Sequence, residues 1–193
     1  MSGGLGDAVA AVQDGSLVVY PTETVYGLGA DALDPAAVER VFELKSRPRG
    51  NPVSMATPDV ETACAHTQPT DRERRFMREF LPGPVTVVLE RGPAVPDRLT
   101  AGRDQVGVRV PDHDVARELA RNGPVTATSA NVSGQPSARR VAALDTPVRA
   151  AAAVVLDGGE TPGGGSTVVD VAGDTIHRRG ALADEVESWL AEA

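Results

Sequence analysis

Pro21-Thr22-Glu23-Thr24-Val25-Tyr26-Gly27-Leu28-Gly29 is the stretch around which the chain is organised. It follows Leu17-Val18-Val19-Tyr20, an apolar run that reads as a short buried strand stopped by Pro21. Two hydroxyls, a carboxylate and a phenol are packed together before the segment closes on two glycines one residue apart. Glycines so placed imply that backbone or ligand approaches too closely for a Cβ. An ordinary strand-to-turn loop stays open as a reading of this stretch alone.

Outward from it, strand-like and helix-like runs alternate. Leu5 to Gln13 predicts a short helix ahead of the strand. Downstream, Asp34-Pro35 supplies an N-cap and a first-turn proline, Val38, Val41 and Phe42 share one helical face, and Pro48 stops the helix by Arg47. Pro52 to Ala56 reads as a strand, Thr57-Pro58 as the start of a helix, and Thr70-x-x-Glu73 as a capping box with Phe76, Met77, Phe80 and Leu81 inward. Val85 to Leu89 and Val106 to Val110 are strands, Val115 and Leu119 mark a helix, and Val125 to Thr128 is a strand. Ala138 to Leu144 is helical in pattern, and Ala153 to Leu156 is a buried strand. Gly158 to Ser166 is a glycine-rich loop, Thr167 to Val171 and Thr175 to Arg178 form a hairpin, and Leu182, Val186, Trp189 and Leu190 line a last amphipathic helix.

This alternation, with 193 residues and 41% apolar content, predicts one α/β domain over 1–193 with a sizeable core. No apolar run is long enough to span a membrane, and Met1-Ser2-Gly3-Gly4 lacks the basic and apolar regions of a leader, so a cytoplasmic location is expected. The single cysteine, Cys64, excludes an internal disulfide. The net charge of −8 argues against broad electrostatic attachment to nucleic acid, so an anionic ligand needs a local cationic pocket. His66, His113 and His177 show no metal-ligand spacing, so no metal held by protein side chains is expected. Gly-x-Ser-x-Gly and Gly-x-Gly-x-x-Gly opening a helix are both missing, and 3% aromatic residues are too few for a base-stacking platform.

The candidates for chemistry are few. Lys45 is the only lysine among many arginines. It lies two residues from Arg47, which excludes a shared helix face but aligns the two in the extended chain that Pro48 favours. With Arg49 they form either a cationic edge or the cap of a helix C-terminus. A compact ammonium suits phosphate where a planar fork does not. Arg109 stands on a strand face opposite Val106, Val108 and Val110, beside Gly107, whose missing side chain leaves room for a bidentate carboxylate or phosphate; a solvated sheet face is the alternative. Ser129-Ala130-Asn131 follows a buried strand, where α/β sheets place ligand contacts. Gly163-Gly164-Gly165-Ser166-Thr167 either cradles phosphate or is a flexible connection.

Taken in order, these pieces resemble the YrdC/Sua5 family of threonylcarbamoyl-AMP synthases. The resemblance rests on Pro21 to Gly29, Lys45-Ser46-Arg47-Pro48 with Asn51-Pro52, Pro82-Gly83-Pro84-Val85-Thr86, Val108-Arg109-Val110-Pro111, Ser129-Ala130-Asn131-x-Ser133-Gly134, Pro136-Ser137 and Ser166-Thr167. It implies an open, twisted, mostly mixed sheet with flanking helices and a deep cationic cavity. The implied reaction joins L-threonine, bicarbonate and ATP, accompanied by Mg2+, into threonylcarbamoyl-AMP and pyrophosphate. The product would serve a transferase that modifies adenosine 37 of tRNA; direct tRNA binding would be weak. The resemblance implies Lys45, Arg47, Ser129 and Asn131 as the catalytic set. Thr24, Arg109, Ala127 and Ser129 would hold threonine, and Lys45, Arg47, Asn51, Gln105, Ser129, Ser137, Ser166 and Arg178 would hold ATP. Because the chain stops after this unit, whereas Sua5 proteins carry a further C-terminal domain, the short form is expected.

The sequence departs from the family pattern at Ala56, where many members have histidine, at Gln105 in place of threonine, and at Leu81 in place of tryptophan. His177-Arg178-Arg179-Gly180 leaves Arg178 and Arg179 both open as nucleotide ligands. The other readings are an RNA-binding module without chemistry and a YciO-like paralogue with weak or different activity.

Overall fold

The computed structural model describes residues 4–192, so the leader-free reading of Met1-Ser2-Gly3 lies outside the described residues. The chain runs α1 (Leu5–Gln13), β1 (Val18–Tyr20), β2 (Gly27–Gly29), α2 (Pro35–Lys45), β3 (Ser54–Ala56), α3 (Val60–Ala65) and α4 (Asp71–Phe80). It continues with β4 (Val85–Glu90), α5 (Asp97–Thr100), β5 (Gln105–Arg109), α6 (Asp114–Leu119), β6 (Val125–Ser129) and α7 (Thr146–Ala151). The last elements are β7 (Val154–Val155), β8 (Thr167–Asp170), β9 (Thr175–Arg178) and α8 (Ala183–Glu192). The strands form one 9-stranded sheet in the order β7-β1-β2-β6-β3-β5-β4-β8-β9. It is mixed: β7/β1, β3/β5 and β4/β8 pair in parallel and the other neighbours antiparallel.

Register decides what the two faces of this sheet carry. Partners across a ladder share a face, as do residues i and i+2 along a strand. Tyr20 pairs with Gly27 and Gly27 with Ser129; Ser54 pairs with Ala127, Ala56 with Arg109, Val88 with Gly107, Thr86 with Val168, and Val168 with Arg178. These residues therefore point to one side of the sheet.

The other side carries Val19, Leu28, Met55, Val87, Val108 and Val169, all buried. It is covered by α2 (Val38, Phe42), α3 (Ala63), α4 (Phe76, Met77), α5 (Leu99) and α8 (Val186), and toward β1 and β7 by Val41 of α2 and Val148 of α7. Each such side chain contributes on the order of 1.5–3 kcal/mol on burial. The polar side is covered only in part, where α1 (Ala8, Val12) and α6 (Ala116, Leu119) pack on Val18 and Tyr20 of β1, Val154 of β7 and the paired strand ends Ala56 of β3 and Val125 of β6. The rest of that side stays open as a hollow.

Local chemistry sets the element ends. Asp34 accepts from Ala36 N at 2.8 Å, and Thr70 and Glu73 close a capping box on α4. The glycines of β2 are needed for a reason the sequence stated only in general form. A Cβ on Gly27 would lie 2.7 Å from the Tyr20 ring, and one on Gly29 3.1 Å from it. The approaching group is a side chain of the neighbouring strand.

Several expectations are corrected. The Pro52–Ala56 strand shrinks to Ser54–Ala56, and the helix expected from Thr57-Pro58 is capped by Asp59. Ala138 to Leu144 is irregular apart from a 3₁₀ turn at Val141–Ala143; the helix of this region is α7, which Asp145 and Pro147 open. Ala138 is buried in the apolar cluster that includes Tyr26, and its carbonyl accepts from Tyr26 N at 3.0 Å, a long-range tie that no periodicity reports. Leu182 precedes α8 with φ 60° and is 38% exposed, whereas Phe80, expected inward, does pack against the core and stacks on Phe76.

Candidate active site

The open part of the polar face is a cavity of about 810 Å³, within the size range of small-molecule sites. Thr24, Lys45, Arg47, Asn51, Gln105, Arg109, Ala127, Ser129, Asn131, Ser137, Ser166 and Arg178 all line it. The sequence expectation thus named residues from the end of α2, from β5, β6 and β9, and from the loops after β1, α2, β6 and β7 that the fold brings to one hollow. Its basic lining is Lys45, Arg47, Arg103, Arg109 and Arg178, and no aspartate or glutamate lines it. In a chain of net charge −8 this is a concentrated positive spot.

At one end the organising loop braces Arg109. Its Nη2 donates to Thr24 Oγ1 at 3.0 Å and lies 2.7 Å from Glu23 Oε1. Thr22 Oγ1 donates to the Val25 carbonyl at 2.7 Å, so the proton of the 3.0 Å Thr22–Thr24 contact comes from Thr24. The result is a directed relay from Arg109 through Thr24 and Thr22 to the backbone. Tyr26, further along, accepts from Gly158 N at 3.0 Å and donates to the Gly159 carbonyl at 2.7 Å, fixing the glycine loop to the organising loop. Tyr20 completes this end; its hydroxyl donates to the Thr126 carbonyl at 3.0 Å. Burial pushes that phenol up, while Arg109 pulls it down and Glu23 pushes it up.

Lys45 sits at the last helical position of α2. Ser46 takes the left-handed conformation (φ 48°), with Ser46 N bonded to the Glu43 carbonyl and Arg47 N to the Phe42 carbonyl, a Schellman ending. This turn, rather than the extended chain expected from Pro48, sends both Lys45 and Arg47 into the cavity. Lys45 Nζ donates to the carbonyls of Ser129 (2.5 Å) and Asn131 (2.7 Å) and lies 3.5 Å from Asn131 Oδ1. Ser129 Oγ bonds the same Asn131 oxygen, and Asn131 Nδ2 donates to the Val132 and Gln135 carbonyls. Burial first and then the Arg47 charge, opposed by Asp145, lower the Lys45 ammonium to about 8.

At the far end, Arg178 donates from Nη2 to Ser166 Oγ (2.7 Å) and from Nε to the Ser166 carbonyl (3.0 Å), and Ser166 Oγ lies 3.1 Å from Thr86 Oγ1. Arg47 donates to the carbonyls of Asn51 (3.0 Å) and Pro52 (2.9 Å). Burial lowers both guanidinium groups, and each also feels a neighbouring arginine, Arg178 on Arg47 and Arg109 on Arg178. Mutual repulsion of this kind is what a bound anion would relieve.

Some expected features lie elsewhere. Arg49 points away and pairs with Glu39. Arg179 pairs with Asp184 and Glu187, leaving Arg178 as the one of the two in the cavity. The room expected beside Gly107 is filled, since a Cβ there would lie 2.4 Å from Ser54 Oγ and 3.2 Å from Thr86. Ala56 is buried against the cluster that holds Tyr20 and does not line the cavity. The glycine loop does contribute, with Gly164 and Gly165 in the lining. Sequence reasoning missed Arg103, although its i, i+2 spacing with Gln105, Gly107 and Arg109 was the signal. It also gave no role to Tyr20, Thr22, Ser54 or His177. Among the described residues no group of three or more His, Cys, Asp or Glu is placed to hold a metal ion, and no helix is long and apolar enough to cross a membrane.

This geometry has close relatives. The family model for Sua5, YciO and YrdC, described as telomere recombination, matches residues 10–180. The threonylcarbamoyl-AMP synthase of Pyrococcus abyssi (strain GE5 / Orsay) is 38% identical over 192 residues, a match covering 96% of this chain and 56% of that protein. Among solved structures, P. abyssi Sua5 complexed with L-threonine matches with a TM-score of 0.88 at 37% identity, covering 97% of this chain and 57% of that one. E. coli YciO matches with a TM-score of 0.80 at 26% identity, covering 92% and 89%. The chain spans little more than half the length of the P. abyssi and Bacillus subtilis synthases that it matches. The match of model, sequence and backbone over nearly every described element leaves one assignment: the chain belongs to the Sua5/YciO/YrdC family.

Proposed function

We propose that this chain is a threonylcarbamoyl-AMP synthase, joining L-threonine, bicarbonate and ATP with release of pyrophosphate. The observation that carries this is the cavity lining: Lys45, Arg47, Arg103, Arg109 and Arg178 converge on one hollow that no carboxylate lines. A carboxylate, a bicarbonate and a triphosphate repel one another in water; fixed cations offset that repulsion and hold the reactants in line. The name of the P. abyssi relative and the threonine in the matching Sua5 structure support the same substrates.

In this reading Arg109 and Thr24, with Ala127 and Ser129, receive threonine. Arg47, Asn51, Gln105, Ser137, Ser166 and Arg178 receive the nucleotide, and Lys45 fixes the Ser129–Asn131 turn between the two. The amine of threonine adds to bicarbonate carbon with loss of water. A carbamate oxygen then attacks the α-phosphorus, and the bond to the β-phosphate oxygen breaks to release pyrophosphate. Charge building on the α-phosphate is stabilised by the fixed donors, without a covalent enzyme intermediate. The lining residues do not fit a protein-held metal; magnesium would enter as part of the ATP complex, on phosphate oxygens. The product would pass to a transferase acting on adenosine 37 of tRNA. An RNA-binding module without chemistry is disfavoured because many outer arginines are paired with acids, as in Arg49–Glu39, Arg140–Glu160 and Arg179–Glu187.

The test is pyrophosphate release from ATP with threonine and bicarbonate supplied or withheld. Release that requires both supports the proposal, and release indifferent to threonine contradicts it.

A further inference from the structure

Arg109 differs from the other cations of the cavity in already having a negative partner. Its Nη2 lies 2.7 Å from Glu23 Oε1. Lys45, Arg47 and Arg178 direct their donors to carbonyl and hydroxyl oxygens, which carry no net charge. The Glu23 side chain is 15% exposed, and both its oxygens are buried without a hydrogen bond. A carboxylate desolvated to that degree is costly unless a cation stands beside it, and Arg109 is that cation.

The loop sets this charge behind the guanidinium instead of in the hollow: Thr22 and Thr24 line the cavity and Glu23 does not. Arg109 Nε is also buried and unpartnered, whereas Nη1 is not among the buried unpartnered atoms and makes no protein hydrogen bond, so that side of the fork faces the hollow.

We propose that Glu23 is a specificity-determining residue, which by neutralising Arg109 makes its end of the cavity a site for a zwitterionic amino acid and unfavourable to phosphate. The inference rests on the synthase reading and extends it to how one hollow keeps two classes of anion apart. An uncompensated arginine draws the most highly charged anion present, and ATP or pyrophosphate would outcompete an amino acid of zero net charge. Backed by Glu23, the guanidinium keeps the planar geometry that a carboxylate matches, with its net field reduced. A polyanion gains less there, while the ammonium group of an amino acid is repelled less. Specificity of this kind needs a repulsive element as well as an attractive one, and Glu23 supplies it.

The experiment is calorimetric titration of the whole chain, as wild type, Glu23→Gln and Glu23→Asp, with L-threonine and separately with pyrophosphate. In Glu23→Gln, threonine affinity should fall about tenfold or more and pyrophosphate affinity rise, because a buried charge partner has been removed. Glu23→Asp, which keeps the charge but draws it back by one methylene, should shift both affinities the same way by less. It also carries the question if the Gln variant does not fold. A residue that merely held the loop would weaken both ligands together, so loss of both overturns the proposal. So does threonine affinity unchanged in both variants, and either result leaves the synthase reading standing. Wild-type protein that binds no threonine, with or without ATP, overturns that reading and this proposal together.

Discussion

The protons of an ammonium group leave in tetrahedral directions, and at Lys45 they meet the Ser129 carbonyl, the Asn131 carbonyl and Asn131 Oδ1. A planar guanidinium could not meet three oxygens so grouped, which accounts for lysine here in a chain that otherwise uses arginine. Removing this brace, or the Arg47 fork, should lower turnover about 100-fold, the size expected for a lost electrostatic contact; steady-state rates of Lys45→Ala and Arg47→Ala check it. The lowered ammonium gives a pH signature with two opposite trends. In the free protein Lys45 loses its proton as pH rises through about 8, so nucleotide affinity should fall between pH 7 and 9.5. The folded state holds that proton less tightly than the unfolded chain, so Lys45 works against stability below about 8, and this penalty is relieved as pH rises toward the ordinary 10.5. Calorimetry and thermal melting of wild type against Lys45→Met should show both trends only in the wild type. The lone lysine was legible in the sequence as a chemical oddity, but its partners were not. They lie 84 and more residues away, so the charge was readable as a candidate phosphate contact while the turn that its donors organise was not.

At the scale of elements, what sequence revealed was whatever local chemistry fixes. The cap and first-turn proline of α2, the capping box of α4 and the extent of α1 stand where Asp34-Pro35, Thr70-x-x-Glu73 and Leu5 to Gln13 placed them. Elements fixed by distant contacts were misread, as with Ala138 to Leu144, held by Tyr26 N and by the Arg139–Thr161 pairing of two loops. Two substitutions separate stability from function. Thr70→Ala should cost about 0.5–2 kcal/mol, seen as a lower melting temperature with unchanged KM values, because α4 lies across the sheet from the cavity. Gly27→Ala should cost about 1–3 kcal/mol through overpacking against the Tyr20 ring and should also impair activity, because Tyr20 lines the cavity.

For the whole molecule, the decisive feature is incomplete cover. Helices cover one side of the sheet and only part of the other, over β1, β7 and the paired ends of β3 and β6, and the uncovered strands present their alternate residues to a common hollow. Alternation in Gln105-Val106-Gly107-Val108-Arg109 announced which residues share a side of one strand, but the register that unites β5 with β6, β8 and β9 has no local signature. That is why Tyr20 and Ser54 escaped notice while residues carried by the family resemblance did not; Arg103 lay within reach of the alternation and was overlooked. The account as a whole holds that one cavity has two chemically distinct ends, with Arg109 at the threonine end and Arg178 at the nucleotide end. Threonine and ATP KM values of Arg109→Ala and Arg178→Ala test this most directly. The account predicts a crossed result, with the threonine KM raised mainly in Arg109→Ala and the ATP KM mainly in Arg178→Ala; both variants raising the same KM, or neither raising any, would contradict it.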